Sequence, residues 1–187
     1  IRLENNMAGL SYDAIGVNGA SVPAYLRCQY FQPQLETNIP DLVIFGIGIN
    51  DSYVPVDQFD QSEYEQNYRD LMAMFKEVNP NVQFLFMTNN DSYYKRRYPN
   101  QNIFKVQKAM YNLATEYNAA YWDLFEVMGG LNSIKLWEQA GLAQKDKVHF
   151  TRKGYYLNAD LLFVALRGAY GKHLNSKYYT KEITLQN

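Results

Sequence analysis

Two short apolar runs constrain this chain more than any other feature: Asp41 to Ile47 and Val82 to Thr88, each following a proline-containing turn. Rich in β-branched and aromatic residues, they have the length and character of strands buried on both faces of a parallel sheet. Tyr12 to Val17 and Ala119 to Trp122 are weaker strand candidates, supported by their placement between helical segments. Helical patterns fill the intervals, at about Pro23 to Thr37, Ser62 to Val78, Ile103 to Tyr117 and Thr151 to Tyr170. In the second of these, Tyr64, Tyr68, Leu71, Met72 and Phe75 recur at the spacing of one apolar helix face. Alternating strands and helices predict an α/β fold, because each parallel connection needs a crossover and the crossover helices cover the sheet on both sides.

At 187 residues and 47% hydrophobic, the chain suffices for one globular core and is too short for two. A net charge of −1 without long basic or acidic blocks gives no footprint for nucleic acid. One cysteine, Cys28, excludes an internal disulfide, and with only two histidines a Cys/His zinc cage is not expected. No apolar run approaches the roughly 20 residues that span a bilayer. The start, Ile1-Arg2-Leu3-Glu4-Asn5-Asn6, has neither a signal peptide's apolar core nor an initiating methionine, as expected of a chain that begins inside a longer protein. Seventeen tyrosines suit core margins, where a flat apolar ring keeps a wet hydroxyl, and equally a carbohydrate-facing surface.

Asn79-Pro80-Asn81 should end the second helix, since proline disfavours helical geometry in the residue before it. Asn89 to Asn102 reads as a long polar loop after a strand, with Lys95, Arg96 and Arg97 among tyrosines and asparagines. Ligands of open α/β sheets bind near the carboxyl ends of strands, so this loop is either solvated or in touch with substrate. From Gly171 onward the chain is polar. It is expected as a peripheral tail, 171–187, with Lys181 to Leu185 as a candidate short edge strand.

Three short segments can carry chemistry. In Asp146-Lys147-Val148-His149, a carboxylate three residues from an imidazole can accept a hydrogen bond from one ring nitrogen and leave the other as a general base. Ordinary loop residues also occur at this spacing. In Gly46-Ile47-Gly48-Ile49-Asn50-Asp51, at the end of the strongest strand, the Asn50 amide can donate to a developing oxyanion; an Asx-type turn is the alternative. In Gly16-Val17-Asn18-Gly19-Ala20-Ser21, Gly19 lets the backbone turn an N–H toward a ligand. This segment matches neither a phosphate-binding P-loop nor a dinucleotide fingerprint.

In this order the segments resemble the later signature blocks of the SGNH (GDSL-like) hydrolases. Gly19 matches the second-block glycine, Gly48 and Asn50 the Gly-x-Asn-Asp block, and Asp146 with His149 the Asp-x-x-His block. The resemblance runs from about Tyr12 to Leu166. It implies a three-layer α/β/α, flavodoxin-like fold over 1–170 and ester hydrolysis by a serine nucleophile without a cofactor. His149 would take the serine proton, Asp146 would orient His149, and the Gly19 N–H and Asn50 amide would hold the oxyanion. Met128-Gly129-Gly130, Leu136-Trp137, Gly141-Leu142, His149-Phe150-Thr151 and Gly154-Tyr155 are similar to peptidoglycan O-acetylesterases and related Bacteroidetes esterases. Some of those carry a carbohydrate-binding β-sandwich inserted between the serine block and the second block.

The family's first block, Gly-Asp-Ser, is absent. None of Ser11, Ser21, Ser52, Ser62, Ser92, Ser133 and Ser176 follows Gly-Asp. The resemblance implies that the nucleophile and the first strand come from upstream residues. That strand would lie between Tyr12 to Val17 and Asp41 to Ile47, and its absence is expected to leave a gap with unpaired backbone groups. The function so implied is an exported serine esterase that deacetylates a carbohydrate or peptidoglycan polymer, with this chain inactive by itself. Trp137 and the tyrosines are candidates for a sugar platform. A glycan-binding or structural module that kept the fold without the nucleophile is the alternative.

Overall fold

The structure is a computed structural model and describes the backbone of residues 9–184 and the side chains of 9–176. The N-terminal Ile1 to Asn6 and Leu185 lie outside the described residues. Strands β1 (Leu42–Phe45), β2 (Gln83–Met87) and β5 (Ala120–Trp122) form a parallel sheet in the order β1-β2-β5. Leu42 pairs with Gln83 and Phe45 with Phe86; Leu85 pairs with Ala120 and Met87 with Trp122. The crossovers are α3 (Gln61–Val78) and α4 (Asn102–Glu116). Both begin and end within one residue of the sequence expectation.

Side-chain alternation along the strands divides the interior in two. Val43, Phe45, Phe84, Phe86 and Tyr121 point to one face, where they meet Tyr64, Tyr68, Leu71, Met72 and Phe75 of α3 and Val106, Met110 and Leu113 of α4. Phe45 lies at the centre, stacked on Phe84 at 5.6 Å and edge-on to Tyr68 at 5.3 Å. Burying each such side chain contributes about 1.5–3 kcal/mol. The same layer takes in Val22 of α1 (Val22–Leu26) and Phe31 and Leu35 of α2 (Phe31–Thr37). These two short helices replace the single one expected from Pro23 to Thr37, because the chain turns at Cys28 to Tyr30, with the Cys28 N–H on Tyr25 O and the Phe31 N–H on Cys28 O.

The opposite face is covered by α5 (Leu124–Val127), α6 (Ser133–Gln139) and the first turns of α7 (Arg152–Thr184), completing a three-layer α/β/α arrangement. There Met87 and Trp122 pack with Leu124, Met128, Ile134, Trp137, Phe150 and Leu161. Trp137 is buried, its ring 5.1 Å from Phe150 and its indole N–H on Met128 O, so it serves the core and is no sugar platform. The cover stops short of β1: Leu42 and Ile44 are exposed, and so are Phe163, Val164 and Tyr170 of α7.

Tyr12 to Val17 forms no strand. It runs exposed and without regular structure, since a strand needs a hydrogen-bonding neighbour and among the described residues none lies beside it. The expected gap is accordingly an open outer edge of β1. Lys181 to Thr184 is helical, in line with the rest of α7, and forms no edge strand. Asn89 to Asn102, read as a loop, contains a hairpin of β3 (Tyr93–Tyr94) and β4 (Tyr98–Pro99).

Candidate active site

All three candidate segments leave or approach the carboxyl ends of the parallel strands. The loop after β1 is pinned from several sides. The Tyr68 hydroxyl donates to Ile47 O at 2.7 Å and Tyr64 reaches the same carbonyl at 3.4 Å. Burial pushes both phenols well above their ordinary range, so they remain protonated donors. Gly48 has φ +129, and a side chain there would meet the Tyr64 hydroxyl at 2.1 Å. Glycine is therefore required. Farther along, the buried Asn100 and Asn102 amides both donate to Ser52 O, at 3.1 and 3.0 Å.

This fixed loop presents Asn50 and Asp51 to the second segment. The Asn50 amide donates to Ala20 O at 2.8 Å, and the Asp51 carboxylate accepts the Val22 N–H at 3.0 Å. The Asx-turn alternative for Asn50 is not what forms: among the described residues its side-chain oxygen accepts no neighbouring N–H, and its amide bonds Ala20, 30 residues back. An amide nitrogen carries two protons, which leaves one for another acceptor. Gly19 is exposed with φ +74, in a turn closed by the Ala20 N–H on Val17 O at 3.1 Å. Burial raises the Asp51 carboxyl above its ordinary value against the hydrogen bond from Val22.

Asp146 and His149 are in direct contact, Oδ2 to Nδ1 at 2.8 Å. Oδ1 accepts the backbone N–H groups of Val148 and His149 at 2.9 and 3.0 Å, so the carboxylate wraps its own loop. Burial alone would raise this carboxyl; the backbone and ring hydrogen bonds of His149 and the Val148 N–H outweigh it and hold Asp146 below its ordinary value. With Nδ1 donating to the carboxylate, the proton sits on that nitrogen and Nε2 is free to accept. The imidazole is 55% exposed, which leaves Nε2 room for a partner. Among the described residues no serine hydroxyl bonds it.

The dyad loop has its own frame. An Ala143–Phe150 bridge closes it, the Gln144 N–H donates to His149 O at 2.8 Å, and the Thr151 hydroxyl accepts the Gly154 N–H to cap α7. Asn90, in the loop after β2, donates its amide to Val148 O at 3.0 Å, and the Tyr93 N–H donates to Lys147 O at 2.9 Å. Its neighbour Asn89 lies against Gly48, Oδ1 3.2 Å from where a Cβ would stand. The β2 loop thus joins the Asn50 segment to the dyad segment. Sequence reasoning passed over Asn89, Asn90, Asn100 and Asn102 as loop polarity and Tyr64 and Tyr68 as core; a run of asparagines directly after a buried strand was the available signal. Among the described residues, no three of His, Cys, Asp and Glu are grouped closely enough to hold a metal ion.

Comparison with known proteins bears on the family and the fold. The sequence profile described as the GDSL-like lipase/acylhydrolase family matches residues 2–157. The solved structure of a peptidoglycan O-acetylesterase superimposes with a TM-score of 0.75 at 26% identity, over 83% of this chain and 45% of that one. The chain thus spans under half the length of that esterase. A lipase/acylhydrolase from Enterococcus faecalis gives a TM-score of 0.59 at 20% identity, over 81% of this chain and 72% of its own. An acetyl xylan esterase gives 0.60 at 20% identity, over 81% and 78%. These last two likenesses bear on the fold. No curated protein matches the chain.

Proposed function

Because this chain belongs to the GDSL-like lipase/acylhydrolase family, we propose that it is the downstream part of a serine esterase that removes acetyl groups from a carbohydrate or peptidoglycan polymer. The observation that carries the proposal is the Asp146–His149 contact at 2.8 Å with Nε2 open to solvent. In the proposed reaction, a serine Oγ supplied by residues upstream of Ile1 loses its proton to His149 Nε2 and attacks the acetyl carbonyl carbon. Asp146 holds the imidazole in the required tautomer and stabilises the imidazolium. The Gly19 N–H and the second Asn50 N–H receive the oxyanion, each donor contributing about 3 kcal/mol. His149 then gives its proton to the leaving alcohol oxygen, and water, deprotonated in turn by His149, releases acetate from the serine.

Three observations support an upstream strand: the open edge of β1, the unpaired Tyr12 to Val17 segment, and the exposed Leu42, Ile44, Phe163 and Val164. A strand seated on that edge, followed by its connection, would pair the first and cover the last. The likeness to a peptidoglycan O-acetylesterase supports an acetylated glycan as substrate, and a peptidoglycan substrate would require an exported enzyme. Among the described residues no helix is long and apolar enough to cross a membrane.

With the upstream segment present, the protein is expected to hydrolyse a chromogenic acetate ester, and His149→Ala should lower the rate by about four to six orders of magnitude. An unaffected rate contradicts the triad. The second reading, a glycan-binding module without a nucleophile, is favoured by one observation: no described serine bonds Nε2. A Gly-Asp-Ser sequence upstream favours the enzyme and its absence the module.

A further inference from the structure

The β3–β4 hairpin rises from the β2 loop whose Asn90 holds the His149 segment. Its tip is Lys95-Arg96-Arg97, all exposed. The turn closes with the Arg97 N–H on Tyr94 O at 3.1 Å, and its two central residues, Lys95 at φ +50 and Arg96 at φ +62, are both left-handed. Asn-Gly is the pair that such a turn favours, because residues with longer side chains are disfavoured at positive φ. Two long cations therefore occupy positions where a short neutral pair would hold the same hairpin with less strain, and strain kept at an exposed tip points to a role for the side chains.

The hairpin also gathers charge along its length. Lys147, at φ +57 in the dyad loop, places its ammonium 5.3 Å from the centre of the Tyr93 ring, and Lys135 of α6 reaches the same ring at 5.2 Å. Lys95 lies 5.1 Å from the centre of Tyr94, which packs on Tyr53, whose hydroxyl accepts the Lys95 N–H at 2.9 Å. Lys95, Arg96, Arg97, Lys135 and Lys147 have no carboxylate at ion-pair distance among the described residues. Two carboxylates lie nearby: Asp146 bonds His149, and the buried Asp91 accepts the Ile134 N–H and is within electrostatic reach of Lys135. In a chain with 18 basic and 19 acidic residues, this is a local excess of positive charge beside the proposed reaction centre.

We propose that the hairpin binds a carboxylate-bearing polysaccharide, one strand of which runs from the Lys95–Arg97 tip past Lys147 to His149. The spaced cations suit carboxylates repeated along a sugar chain, and the exposed Tyr98 ring offers a face on which a pyranose can lie. That the bound polymer is also the substrate rests on the ester hydrolase reading; the binding itself does not.

Affinity electrophoresis of the full chain in gels containing polygalacturonate or, at equal mass, neutral xylan tests the proposal. Retardation is expected in polygalacturonate alone, and it should weaken with added salt, since the screening length falls from about 10 Å at 0.1 M to about 3 Å at 1 M. The K95N/R96G variant supplies the residues that the turn favours, so its melting temperature should not fall while its dissociation constant for polygalacturonate rises about tenfold or more. Equal migration in both gels, or unchanged retardation of K95N/R96G, overturns the proposal. Single-stranded DNA held as tightly as polygalacturonate overturns the polysaccharide assignment in favour of general polyanion binding. Because retardation needs no turnover, an inactive protein that is still retarded separates failure of the hydrolase reading from failure of this one.

Discussion

In the proposed chemistry Asn50 would act as an oxyanion donor and Asp146 as the partner of His149, and their substitutions have distinct signatures. Asn50→Ala removes one oxyanion donor and the bond to Ala20 O, so kcat should fall about 10²–10³-fold. A loss below tenfold would show that Asn50 only ties two loops together. Asp146 has a folded-state pKa below its ordinary value, so its hydrogen bonds stabilise the native state above the unfolded carboxyl's pKa of about 3.9 and that contribution fades as pH falls through the lower folded value. In denaturant titrations, the stability difference between the native protein and Asp146→Asn should therefore shrink as pH falls below about 4. A difference that stays the same down to about pH 2 contradicts the assignment. The Asp146–His149 contact was legible in the sequence because its two groups stand three residues apart; Asn50 was singled out by its place after a strand, while its partner Ala20 lies 30 residues back. Asn89 and Asn90 were not, since their partners at Gly48 and Val148 are distant in sequence.

At the scale of elements, the loop after β1 depends on α3. Gly48→Ala should destabilise the protein by about 1–3 kcal/mol, from positive φ and the collision with the Tyr64 hydroxyl. Tyr68→Phe, which leaves Ile47 O with only the longer Tyr64 bond, should cost about 1–3 kcal/mol. Thermal unfolding measures both, and melting points equal to that of the native protein would mean that the loop is held otherwise. β1 and β2 could be foreseen from short apolar runs that follow proline-containing turns, and α3 and α4 from apolar residues at helical spacing. The division of Pro23 to Thr37 was signalled only by Pro33, which fits the first turn of α2 and not the interior of one helix. The hairpin carried no such signal: Lys95-Arg96 occupies a turn that is usually recognised by Asn-Gly.

Across the whole molecule, one face of the sheet is covered by four helices and the other is covered over β2 and β5 but not over β1. The dyad and the Asn50 loop are held by their hydrogen bonds, while Leu42 and Ile44 of β1 and Phe163 and Val164 of α7 are exposed. The proposed upstream strand carrying the serine would cover this surface and give Nε2 a partner. The most direct test is labelling of the protein, with its upstream segment present, by a fluorophosphonate that reacts with activated serines, followed by peptide mapping. The account predicts one labelled serine, in a Gly-Asp-Ser sequence before Ile1, and no label in His149→Ala. Label on a serine within residues 1–187, or labelling undiminished by His149→Ala, would contradict it.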